Sequence, residues 1–415
     1  MKVKVDRTSL IKYGVYLVFL LDICFWFLFP METSFTGVYN KKLITIIVML
    51  LTFVTVLATN FFWKKSFRFL LLFSFAYLFD WVALVMYSKS QYPAQGFGGT
   101  MAMAYYYLDF LIVFPILYVL LKDTDYRIIL EGLNKIAVIL ICIIALQGIV
   151  YALTGSIFMK GVLSTDDIQM RSGRIRIGMT LLGNYAVIYN FAKIQKKQCR
   201  LIHYVGFVAG ILDVFFVQMT RMYELAIVGA LLAVYISSSK KTTRFIRIIV
   251  VLFAIVYIMS FTGILDSFIS SFDVNGELGA GTRVRFEAIE YFMTFVQKNP
   301  LFGMGFVHQN FYLNVLYGSS GRYYLSDVGI IGLITEGGLG MGLLYIIFCL
   351  RMIFILVKTR DTRSPFLVGL MVFILLCTPT LVVWGRRTII YIGLALAVFE
   401  YHYFESNKFK KEIVV

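Results

Sequence analysis

Long apolar runs separated by short polar ones make up most of this chain. A membrane-spanning helix needs about 20 predominantly apolar residues. On that measure the sequence predicts about twelve helices, near 10–29, 43–62, 69–87, 101–121, 134–154, 177–193, 203–219, 222–237, 248–265, 328–350, 365–383 and 388–404. The expected fold class is an all-α polytopic integral membrane protein, with residues 1–415 as a single transmembrane domain. Only between Gly263 and Gly332 does a long interval fall below the hydrophobicity of a span. Residues 264–327 are therefore expected to form a large external loop between the ninth and tenth transmembrane helices. Irregular backbone in lipid leaves N–H and C=O groups unsatisfied at several kcal/mol each, so this loop is where chemistry is sought.

Within the loop, Phe286, Ile289, Met293 and Val296 recur at helical spacing, opposite Arg283, Glu287, Glu290, Thr294 and Gln297. The pattern predicts an amphipathic helix over 283–297, lying on the membrane or capping the bundle. Thr282 is placed to cap it. Asn299-Pro300 ends it, because a residue before proline is pushed out of the α region. Gly303-Met304-Gly305 then allows a tight turn. Arg283 and Arg285 oppose the helix dipole at the N-terminal end, a conflict that a bound anion would remove. Plain structural packing is the competing reading of the same helix.

Composition agrees with the pattern. The chain is 60% hydrophobic and only 15% charged, against about 25% charged in a soluble domain. The net charge of +16 does not point to nucleic acid, because the basic residues fall in short clusters between apolar runs, as orientation signals do. Lys2, Lys4, Arg7 and Lys12 accompany a first apolar run that ends at Phe29-Pro30 without a small-residue cleavage site, which reads as a retained first helix. Cys24, Cys142, Cys199, Cys349 and Cys377 show no metal-ligand spacing.

With a cytoplasmic N-terminus, the outer side holds Lys41, Lys42, Lys89, Lys160, Arg171, Arg174, Arg176, Arg221, Arg283, Arg285, Lys298, Arg322, Arg386 and Arg387, leaving 25 of the 39 basic residues inside and both termini cytoplasmic. The outer set is mostly arginine and the inner set mostly lysine. Orientation is indifferent to that choice, whereas a planar guanidinium binds phosphate or carboxylate bidentately. The outer face is thus read as selected for an anion, with snorkelling to lipid headgroups as the competing reading. Arg171-Ser172-Gly173-Arg174-Ile175-Arg176 lies at the mouth of the sixth helix, and Arg221 in a short turn where it either pairs with Glu224 or faces the anion. Arg174, Arg221, Arg283 and Arg387 are expected to converge on one outward cavity. His308 is the one outer histidine, a structural residue or a titrating catalyst. Asp22, Asp80, Asp109 and Asp213 fall inside spans, where each should pair with arginine, face a wet cavity or be neutral. No metal-binding cluster is visible.

Four places carry a family resemblance: Arg171-Ser-Gly-Arg followed by Gly183-Asn184; Thr220-Arg221; Gly281-Thr282-Arg283 through Asn-Pro-Leu-Phe-Gly-Met-Gly-Phe; and Asp327-Val-Gly-Ile-Ile-Gly. In that order the chain resembles the bacterial O-antigen polymerase and O-antigen ligase family, from about Arg171 onward. The resemblance implies a GT-C-like glycosyltransferase architecture in which the external loop covers an outward cavity. There arginines hold the pyrophosphate of an undecaprenyl-linked oligosaccharide, and in ligases a loop histidine acts as base. His308 stands farther ahead of Gly329 than in ligases, and the Tyr-Leu-Ser-Asp-Val-Gly run suits a polymerase. The implied catalytic residues are His308, Arg283 and Asp327, with Arg171, Arg174, Arg176, Arg221, Arg285, Arg322, Arg386 and Arg387 holding the substrate. No metal and no cofactor are implied. The implied partners are undecaprenyl-pyrophosphate-linked oligosaccharide, membrane lipid, a chain-length regulator and a flippase. A ligase and a transporter of lipid-linked sugars are the alternatives, though a transporter should show paired inverted halves with interrupted helices, and no such repeat is visible.

Overall fold

Apolar helices make the body of the protein. The computed structural model describes residues 6–23, 40–59, 61–64, 67–122, 127–157, 168–171, 174–177, 181–218, 221–239, 243–249, 251, 280–360, 364–379, 384–386 and 388–413. The helices are α1 (Arg7–Ile23), α2 (Asn40–Leu57), α3 (Arg68–Gln91), α4 (Gly96–Ala104), α5 (Val113–Lys122), α6 (Arg127–Thr154), α7 (Leu181–Gln195), α8 (Leu201–Leu212) and α9 (Arg221–Ser237). After the loop come α10 (Ala280–Lys298), α11 (Leu313–Tyr317), α12 (Gly329–Lys358), α13 (Pro365–Cys377) and α14 (Ile389–Ile413). Each predicted span other than 248–265, most of which lies outside the described residues, overlaps a helix, although parts of 10–29, 177–193 and 365–383 also lie outside them. Among the described residues, however, only 5 helical stretches are long and apolar enough to cross a membrane: Arg68–Gln91, Pro93–Lys122, Ile128–Thr154, Leu201–Gln218 and Gly329–Lys358. The protein is a helical membrane protein on that composition.

One of these stretches is the axis of the rest. The most apolar window of Pro93–Lys122 is 83% buried, against 33–39% in the other four, as expected of a helix that is apolar all round. It is not one regular helix, as the predicted span 101–121 implied. Between α4 and α5, Tyr105–Ile112 tightens into a 3-10 turn. There Trp81 Nε1 donates to the Ala104 carbonyl at 2.8 Å and the Tyr77 hydroxyl to the Tyr107 carbonyl at 2.8 Å, so carbonyls of the tightened turn are satisfied from α3.

Three expectations change. The all-α class stands, but the sixth predicted span, 177–193, starts late because a short antiparallel ribbon precedes it, β1 (Ile168–Arg171) and β2 (Arg174–Ile177). Its register sets Arg171 opposite Arg174 and Gln169 opposite Arg176, with Ile168–Ile177 and Met170–Ile175 as the alternate rungs. This period-2 alternation is a strand signal, and it delays the start of α7 to Leu181. Next, α10 begins at Ala280, so Thr282 is inside the helix and not its cap. Finally, the buried stripe of α10 is Ala288–Phe292–Val296 at i, i+4 spacing, with Ala288 and Phe292 clustered with Val328, which leaves Phe286 54% exposed instead of on the packed face. Spacing alone defines an apolar arc, and the docking surface at Val328 selects its centre.

Candidate functional site

The loop after α10 does not simply lie over the bundle. It turns at Asn299-Pro300 and then threads Gly303–His308, all buried, between α3 and α12. Gly303 and Gly305 sit at φ +57° and +78°, the left-handed conformation that suits glycine. A Cβ on Gly303 would overlap the Thr335 carbonyl.

The strap reaches α12 because that helix is broken. Gly338 has φ 69° and ψ −171°, and the break frees backbone groups that must find partners. The strap supplies them. Met304 N–H donates to the Thr335 carbonyl at 2.6 Å, Gly305 N–H to the Glu336 carbonyl at 3.1 Å, and Leu339 N–H to the Pro300 carbonyl at 2.9 Å. From α3, Ser88 Oγ accepts the Phe306 N–H at 2.8 Å. Gln95, 3% exposed, accepts the His308 N–H with Oε1 at 2.9 Å and donates Nε2 to the Phe306 carbonyl at 2.9 Å.

Glu336 stands at the break, seven residues into α12, or about 10 Å along it at 1.5 Å per residue. Arg386 reaches it from the turn between α13 and α14. Nε donates to Oε1 at 2.9 Å and Nη2 to the same oxygen at 2.5 Å, while the Tyr107 hydroxyl donates to Oε2 at 2.7 Å. Among the described residues the remaining guanidinium nitrogen, Nη1, meets only a weak acceptor, Met103 Sδ, at 3.6 Å. The side chains of Arg386 and Glu336 are 22% and 10% exposed, so the pair sits in the protein with an open edge. Trp384, 1% exposed, fixes the turn by packing against the rings of Phe73, Tyr77, Phe110, Tyr345 and Phe348. Thr388 Oγ1 accepts the Gly385 N–H at 2.8 Å, closing the turn behind Arg386.

His308 belongs to the same constellation. Burial, and then the nearby Arg386 charge, hold its imidazole below the ordinary histidine range, so it is neutral near pH 7. Its Nδ1 accepts the Asn310 N–H at 3.2 Å, and its ring meets Phe311 edge-on at 5.4 Å between centroids.

Of the residues proposed from sequence, Arg386 sits at the broken helix on Glu336, and His308, in the strap, lies within reach of its charge. Arg283 is 64% exposed on α10 and pairs with Glu287 at 3.7 Å. Arg285 and Arg322 are exposed. Asp327 lies in a 3-10 turn, Leu325–Asp327, at the mouth of α12. The side chains of Arg171, Arg174, Arg176, Arg221 and Arg387 lie outside the described residues, so the expected convergence of Arg174, Arg221, Arg283 and Arg387 is not visible. The transmembrane acids do not supply the main charge pair either: Asp22 accepts the Tyr391 hydroxyl at 2.5 Å, and Asp213 is fully buried with no hydrogen-bond partner among the described residues. Glu336 and Tyr107 were not singled out from sequence. The available signal was a glutamate followed by Gly337-Gly338 inside an otherwise apolar run. Among the described residues no three His, Cys, Asp or Glu side chains come together to hold a metal ion.

Fold and site define a helical membrane protein with a charged pair at a broken helix, closed by a strap from its longest polar loop. No protein-family model matches the chain, and no curated protein matches it.

Proposed function

We propose that this chain is a polysaccharide polymerase that joins undecaprenyl-pyrophosphate-linked oligosaccharide repeat units on the outer face of the bacterial cytoplasmic membrane. In this reading the protein has about twelve spans in a GT-C-like arrangement, both termini are cytoplasmic, and a chain-length regulator and a flippase are its partners. The observation that carries the reading is the Arg386–Glu336 pair at the broken helix, with His308 near enough to feel the Arg386 charge. Displacing a diphosphate from an anomeric carbon builds negative charge on the leaving group, which a preorganised guanidinium stabilises, and requires a group to take the hydroxyl proton. An O-antigen-type ligase would use the same parts.

The broken α12 also favours a second reading, a transporter of lipid-linked sugars, since secondary transporters build binding sites from interrupted helices. One experiment separates the three. Purified protein in liposomes is given a lipid-linked repeat unit, and products are resolved by size. A ladder of polymers supports the polymerase; a single transfer to an added acceptor indicates a ligase; movement of the lipid between leaflets without new glycosidic bonds indicates a transporter.

A further inference from the structure

We propose that Glu336, and not His308, takes the proton from the attacking sugar hydroxyl, with His308 acting as a neutral hydrogen-bond donor through Nε2. This rests on the polymerase reading above.

The geometry of His308 carries the first half of the argument. A neutral imidazole has one N–H and one lone pair. Here Nδ1 accepts the Asn310 N–H at 3.2 Å, so the lone pair is in use and the proton is on Nε2. The backbone around it is held as well. Its N–H is fixed by Gln95, and its carbonyl accepts from Phe311 and Tyr312, both at 3.1 Å. Freeing a lone pair at Nε2 requires breaking the Asn310 contact and moving the proton to Nδ1. Picking up a second proton is opposed by burial and by Arg386. His308 is thus built to donate to an oxygen without becoming charged.

Glu336 has the complementary properties. An ionised carboxylate accepts only, at about four lone-pair positions on two oxygens. Arg386 uses Oε1 twice and Tyr107 uses Oε2 once, which leaves acceptor capacity on Oε2. The incoming hydroxyl becomes acidic as its oxygen bonds to the anomeric carbon, and carboxylates serve as general bases in inverting glycosyl transfer. In the step proposed, the acceptor hydroxyl oxygen forms a bond to the donor's anomeric carbon. The bond from that carbon to the diphosphate oxygen breaks, with its electron pair leaving on the diphosphate. The hydroxyl proton passes to Glu336 Oε2 and from there to water. Arg386 presents Nη1, opposed only by Met103 sulfur, to the departing phosphate oxygens.

The test uses the full-length protein in liposomes, with initial rates of polymer formation from a lipid-linked repeat unit measured between about pH 5 and pH 9. Wild type, Glu336→Gln, Glu336→Asp and His308→Gln are compared at matched amounts of folded protein. Removing a general base costs about 10²–10⁴-fold, so Glu336→Gln is expected to lose at least about a hundredfold. Glu336→Asp should retain a measurable part of the rate, and His308→Gln should lose less while keeping the wild-type pH profile. A Glu336→Gln rate within about tenfold of wild type overturns the proposal. So does a pH-rate limb that disappears in His308→Gln, which also decides the matter if Glu336→Gln does not fold. Absence of any polymer from well-folded wild type would instead remove the polymerase reading itself.

Discussion

Gly338→Ala tests whether the broken helix is a requirement of the site. At φ 69° and ψ −171° an L-residue occupies a region used almost only by glycine, at a strain of about 1–3 kcal/mol. The new methyl would also overlap the Leu301 carbonyl and the Phe302 nitrogen. Both are backbone atoms, so no side chain can swing aside to relieve the contact. Displacing that turn breaks the Leu339–Pro300 hydrogen bond of 2.9 Å, worth about 1 kcal/mol. Together the cost is about 2–4 kcal/mol. If it falls on the geometry of Glu336, two residues away, polymer synthesis drops about 30-fold to nearly a thousandfold, at 1.36 kcal/mol per tenfold. The assay is polymer formation in liposomes beside thermal unfolding in detergent. Gly98→Ala is the control, since a Cβ there meets nothing within 4 Å. If Gly338→Ala matches Gly98→Ala in both melting temperature and polymer, the break is incidental and the site has been misplaced.

Arg386→Ala leaves Glu336 buried and unpaired, which costs about 3–5 kcal/mol; adding Glu336→Gln should recover melting temperature without recovering polymer, and a double variant no more stable than the single one refutes the pairing argument. His308 has a folded-state pKa below its unfolded value of about 6.5, so its contribution to stability is present above about pH 6.5 and is lost as pH falls towards the folded value. Wild type should therefore lose melting temperature relative to His308→Asn on acidification, and identical slopes would count against a neutral buried imidazole. Arg283→Ala should change stability by no more than about 0.5 kcal/mol, because its ion pair with Glu287 is exposed; a large fall in melting temperature would show a structural role, whereas lost polymer at unchanged stability reports contact with the ligand. Arg351 grips Glu400 at 2.6 and 2.9 Å and lies over the rings of Phe69, Phe354 and Tyr403. Arg351→Lys loses the fork and the stacking plane at about 1.5–3 kcal/mol, read as a lower melting temperature with unchanged polymer per folded molecule.

Much of the architecture follows from local pattern. Apolar runs mark helices because a helix satisfies its own backbone in lipid, and that requirement can be read one segment at a time. The end of α10 at Asn299-Pro300 and the turns at Gly303 and Gly305 are equally local, set by what proline and glycine permit. The excess of arginine in the segments that the basic-residue pattern assigns to the outer side is visible as composition. What the sequence alone could not decide is which charges meet. Glu336 and Arg386 are 50 residues apart on different elements, and periodicity describes the face of a helix without identifying what packs against it. Arg283, prominent in sequence for opposing a helix dipole, is exposed, whereas Arg386, one member of an Arg-Arg pair, is drawn inward because Trp384 anchors its turn in an aromatic core. The break at Gly338 becomes intelligible only with the strap in place, since the carbonyls it frees are satisfied by Met304 and Gly305 from the loop more than thirty residues earlier. Tertiary packing therefore chose the site, by deciding where polar backbone and charge could be buried with partners.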